Sequence, residues 1–159
     1  MRTFILSAVI VAMTAVGIVR IGTSGVIAQG TTPVAATIGK DLLGQGGSAV
    51  APDRVLLLQR RTFAPGSDSG AHPAPGPTVL YVDSGTVKFS VVKGAALRWK
   101  DGKATGATIA AGSSAELMPG EAVFYDQGVV HDVANDGSAP AVTLEARLNP
   151  SASAATPKP

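Results

Sequence analysis

Gly66-Ser-Asp-Ser-Gly-Ala-His72-Pro-Ala74-Pro-Gly-Pro-Thr78, running on to Gly85, and Gly120-Glu-Ala-Val-Phe-Tyr-Asp126-Gln-Gly128-Val-Val-His131-Asp-Val-Ala-Asn135 decide how this chain folds. Between them they hold the only two histidines among 159 residues. Each is interleaved with a short, β-branched run, Val79–Val82 in the first and Glu121–Tyr125 and Val129–Val133 in the second. Outward from these, Arg54–Phe63, Thr86–Val92, Ala95–Trp99 and Ala141–Leu148 read as further strands. Asp83-Ser-Gly85 and Asp101-Gly102 supply turn residues that tolerate positive φ. Gly112, Pro119-Gly120, Gly128 and Asn135-Asp-Gly137 punctuate the second half in the same way. No core segment of ten or more residues carries a 3.6-residue apolar period, so helix is expected to be minor. The fold class is all-β.

The spacing of the special residues is more specific than the strand count. Gly66, His72, Ala74, Thr78 and Gly85 stand at the positions of the first cupin motif, Gly, His-x-His, Glu, Gly; Gly120, Asp126-x-Gly128, His131 and Asn135 stand at those of the second, Gly, Pro-x-Gly, His, Asn. The chain resembles the small single-domain cupins from near Arg54 to near Leu148. The resemblance implies a single antiparallel jelly-roll barrel over residues 51–149, with Thr86 to Pro119 as an inserted hairpin. Asn135 is expected to close a turn through its side-chain amide.

The departures from the motif matter as much. Metal-binding cupins hold one divalent ion with two His and a Glu from the first motif and a His from the second. Here only His72 and His131 remain, with Ala74 and Thr78 in place of the second His and the Glu. Alanine has no donor atom, a threonine hydroxyl is a poor ligand beside imidazole, and stable sites use three or four protein ligands. The implied cofactor is therefore none, or a weakly bound divalent metal ion held by His72 and His131.

Candidate ligand-contacting residues are His72, His131, Thr78, Tyr125 and Arg60. One of Gln59, Arg60 and Arg61 must face the interior, and an inward Arg favours a carboxylate or phosphate, whose paired oxygens its fork matches. Along the later strand, an inward His131 puts Val129 and Val133 inside and Asp132 outside. Trp99 reads as a packing anchor on the inserted hairpin. Three function classes stand: a protein that binds a small molecule in the barrel; a metal-dependent cupin enzyme of the dioxygenase, isomerase or decarboxylase type that adds an unidentified ligand to the two histidines; and a structural, dimerising barrel module. The resemblance also implies a homodimer paired through edge strands. No Gly-x-Ser-x-Gly elbow is present for serine-based catalysis.

The ends of the chain read differently from its middle. Arg2, the apolar run Phe4 to Val19 and the small residues Val26 and Ala28 have the form of a secretory signal cleaved before Gln29. A retained membrane anchor is the competing reading of the same run. Removing residues 1–28 takes Arg2 and Arg20 and no acid, leaving 11 basic against 11 acidic groups. That balance, with no basic cluster longer than Arg60-Arg61, excludes a nucleic-acid partner. The mature chain is expected in the secreted or periplasmic space, off the membrane once the signal is cut. Residues 29–50 read as a flexible arm or linker with at most one edge strand, and 150–159, with three prolines and nothing to bury, as a disordered tail. The absence of cysteine excludes disulfides and Cys-based zinc sites.

Overall fold

A computed structural model describes residues 36–151. The signal segment 1–28, the start of the arm and the tail beyond Ser151 lie outside the described residues. The eleven strands are β1 (Ile38–Ser48), β2 (Ala51–Phe63), β3 (His72–Pro73), β4 (Thr78–Ser84), β5 (Val87–Lys93), β6 (Ala95–Lys100), β7 (Lys103–Ala110), β8 (Ser113–Leu117), β9 (Glu121–Tyr125), β10 (Val130–Ala134) and β11 (Ala141–Pro150). Among the described residues there is no helix. The strands form two antiparallel sheets, one ordered β1-β2-β11-β4-β9-β6-β7 and the other β3-β10-β5-β8.

The period-two pattern builds the core between the sheets. On β4, Thr78, Leu80 and Val82 turn inward while Val79, Tyr81 and Asp83 turn outward. Val87, Phe89 and Val91 on β5, and Val123 and Tyr125 on β9, face them, and Phe63, Leu117 and Val133 close the packing with no exposed surface. Turn chemistry sets the hairpins. Asp101 and Gly102 both hold positive φ, 49° and 74°, as the tight turn between β6 and β7 requires. Gly85 has φ +70°, and a Cβ there would lie 2.7 Å from the Ala141 Cα, so both the conformation and the space demand glycine.

Two regions hold more strand than the sequence marks. Residues Ile38–Ser48, within the arm read as carrying at most one edge strand, form such a strand, β1, paired with β2 from Ile38–Phe63 to Ser48–Ala51. The glycine-rich β1 exposes nearly every side chain, so backbone pairing rather than burial holds it, and no apolar alternation signals it. In the inserted segment β7 and β8 are also strands; each buries a single apolar side chain, Ile109 and Leu117, which leaves no pattern to read.

Candidate functional site

Gly66 to Ala71 is a loop laced to β10: Gly66 N–H donates to Asn135 O (2.8 Å), Ser69 N–H to Val133 O (3.0 Å), and Asn135 N–H to Ser67 O (2.8 Å). The Ser69 hydroxyl accepts from Val133 N–H and donates to Asp132, each at 2.9 Å. Asp132 lies beside Asp68; burial and that neighbour raise the Asp132 pKa, while the Gly70 N–H lowers that of Asp68. The loop delivers His72 into the two-residue strand β3, directly opposite His131 on β10.

The two imidazoles meet with ring centroids 4.6 Å apart. Each Nδ1 lies against a backbone carbonyl, Gly70 O for His72 (2.7 Å) and Val129 O for His131 (3.4 Å). A carbonyl only accepts, so Nδ1 carries a hydrogen in both rings. His131 is buried, stacked on Phe89 at 5.3 Å and touching the Tyr125 ring at 4.4 Å. Burial holds its pKa at about 4 against the ordinary 6.5, and the neighbouring His72 adds to the fall. Tyr125 is pushed above its usual range by burial and then by the Glu145 charge. Thr78 is its cross-strand partner, and the Thr78 hydroxyl donates to Gly76 O at 2.9 Å.

Beside this aromatic cluster lies a buried charge cluster that the motifs do not announce. Glu145, 1% exposed, sits opposite Gln59 in the β2–β11 pair and accepts its amide N–H at 2.9 Å. Arg61 donates to Glu145 at 3.0 Å, and Arg147 approaches it at 3.8 Å. Two guanidinium groups share one carboxylate. The Nε–H of Arg61 and that of Arg147 are buried without a partner. Both residues, with Lys40, Ser69 and His72, line a cavity of about 350 Å³ floored by Pro73 and Pro75.

No protein-family profile matches the chain, and no curated protein matches it. Solved structures do. A conserved protein of unknown function from Streptococcus pyogenes superposes with a TM-score of 0.49 at 14% identity, covering 73% of this chain and 77% of the other. A cupin 2 conserved barrel domain protein from Leptotrichia buccalis gives 0.47 at 19%, over 71% of this chain and 41% of that one. Oxalate decarboxylase from Bacillus subtilis gives 0.45 at 22%, over 60% and 22%. The two antiparallel sheets form a jelly-roll-type barrel. At these identities the likeness concerns fold alone.

Within the barrel, positions 74 and 78 are both buried, 3% and 1% exposed, and carry no free donor. Among the described residues no group of three or more His, Cys, Asp or Glu is placed to hold a metal ion. The one interior carboxylate nearby, Glu145, is taken up by Arg61 and Gln59. The donor set therefore does not fit a tight divalent centre. Arg60, named from the sequence, is exposed on the outer face, and the interior position on β2 belongs to Arg61 and Gln59. The reason is parity: Phe63 is fixed in the core, so odd-numbered residues of β2 point inward. Lys40 escaped notice because the strand that carries it did.

Proposed function

We propose that this chain is an exported barrel protein that binds a small anionic molecule, a carboxylate, at the mouth beside His72. The observation that carries this reading is the pair Arg61 and Arg147 around the single carboxylate of Glu145, each with a buried, unpartnered Nε–H. Two guanidinium groups beside one carboxylate leave a surplus positive charge at the cavity, which an anion presenting two oxygens balances. Lys40 adds a third cation at the rim, and His72 brings an imidazole edge to the same cavity. About 350 Å³ is near the lower end of ligand pockets, so the ligand is a small one. His131, Tyr125 and Thr78, expected to contact the ligand, do not line this cavity; His131 reaches it only through its contact with His72, and its imidazole is neutral at physiological pH.

Titration calorimetry of the full chain with malonate, inorganic phosphate and the uncharged malonamide tests the reading. Malonate is expected to bind with a submillimolar dissociation constant that weakens with salt, and Lys40→Ala, an exposed change, to weaken it several-fold. Equal binding of malonamide, or no binding of either anion, would overturn the proposal. Preference for phosphate would retain the site and reassign its ligand class.

A further inference from the structure

Along β1 the chain is held by little besides its backbone. Ile38 packs against the core and the Ala64 N–H donates to Thr37 O (3.2 Å), which fixes the start of the strand opposite Phe63. From Gly39 to Ser48 every residue is exposed, four of the ten are glycine, and register shifts at Leu42/Gly44 and Gly47/Ser48 interrupt the pairing with β2. The strand is also the edge of its sheet, so among the described strands only β2 pairs with it. Few buried apolar contacts and the conformational freedom of glycine put such a strand at the low-stability end of a fold.

Charge works against the pairing where β1 meets the cationic cavity. Lys40 stands directly opposite Arg61 in the β1–β2 register, and both line the cavity with His72 and Arg147. Like charges facing across a ladder are destabilising. Glu145 is already bonded to Arg61 and approached by Arg147, and among the described residues Lys40 makes no ion pair. On the other side of the strand Asp41 faces Arg60, an attractive pair, so the repulsion is confined to the side that meets the cavity. We propose that β1 is a strap whose docking on β2 is completed by the bound anion, which holds it through Lys40. The inference rests on the anion-binding reading above: an anion between Lys40 and Arg61 turns one repulsion into two attractions, so docking of the strand and binding of the ligand favour each other.

Two substitutions at exposed positions separate a ligand-held strap from a loose edge. Lys40→Gln removes the repulsion and the contact with the anion together. Gly46→Val leaves the cavity untouched, because Gly46 lines no part of it. A Cβ at position 46 meets nothing within 4 Å and the φ there lies outside the left-handed region, so a β-branched residue fits the extended backbone opposite Leu56. Both changes are expected to strengthen the pairing of β1 in the ligand-free chain, and only the second keeps its response to the anion.

Amide hydrogen exchange of the full chain is the test, with and without malonate or inorganic phosphate at concentrations that calorimetry shows to be saturating. In the wild type the amides of residues 40–47 are expected to exchange faster than those of β4 and to slow at least about tenfold when the anion is bound. In Lys40→Gln they should start slower and respond by less than about twofold, whereas in Gly46→Val they should start slower and keep the wild-type response. Ligand-free β1 amides as protected as those of β4, a bound anion that leaves β1 exchange unchanged, or an equal response in Lys40→Gln would overturn the strap and leave the anion site standing. Calorimetry showing that neither anion binds would overturn the anion-binding reading, and the strap with it.

Discussion

His72 and His131 face each other across β3 and β10 with ring centroids 4.6 Å apart, yet one is buried and the other opens onto the cationic cavity. The pair joins the buried interior of the barrel to that cavity.

The buried member gives a pH signature. The folded pKa of His131 is about 4 and its ordinary value 6.5, so between these the unfolded chain binds the extra proton. Stability from this group is complete above about pH 6.5 and falls as pH drops toward 4, by on the order of 2 kcal/mol. Urea titrations from pH 4 to 7.5 should show that slope, and His131→Gln should flatten it. An unchanged slope in the variant would assign the effect to other groups.

Restoring the absent donors should make a metal site. Positions 74 and 78 are buried near the histidine pair, and Ala74→His with Thr78→Glu completes a set of four ligands. Affinity for Mn, Ni or Zn should rise at least about a hundredfold. Isothermal titration against the parent checks this, and equal weak binding would mean that the two positions point elsewhere.

Glu145→Gln tests the charge balance of the interior. The amide keeps the bond to Gln59 by flipping but no longer neutralises Arg61 and Arg147. The unliganded variant should melt lower than the parent, while malonate should raise its melting temperature by more than it raises the parent's. A smaller ligand-induced rise would count against an anion at these guanidiniums.

Asn135 ties three segments together: its amide donates to Phe63 O (2.9 Å) and Ala139 O (2.8 Å), and its carbonyl accepts from Gly137 N–H (3.0 Å). Asn135→Ala strands the buried Phe63 carbonyl and should cost about 2–3 kcal/mol, read by denaturant unfolding.

Export makes a prediction about covalent structure. Material recovered from the periplasm or medium should begin at Gln29. Intact mass showing Met1 in that fraction would defeat it.

What could be read from the sequence was whatever period two and turn chemistry impose. Glu121–Tyr125 runs between the residues expected, because alternation and the flanking turns mark both ends. The convergence of His72 and His131 was legible from motif spacing alone. Gln59, Arg61, Glu145 and Arg147 could be read as possible lining residues, but not their assembly into one charge cluster, because they are scattered over two strands and their inward direction depends on which neighbours anchor the core. Choosing Arg60 over Arg61 is a one-residue parity error that only the burial of Phe63 settles. Lys40 lay in a strand made by backbone pairing, which leaves no side-chain pattern.

The position of β11 bears on when this barrel can form. It is the last described strand in the chain, yet it lies between β2 and β4 and pairs with both. Until residues 141–150 emerge from the ribosome, β2 and β4 have no common neighbour, Arg61 lacks its counter-ion, and the large sheet remains in two pieces. Contacts spanning some eighty residues then close late and slowly. Under the export proposed above, a chain threading a translocation pore stays unfolded until β11 has been made.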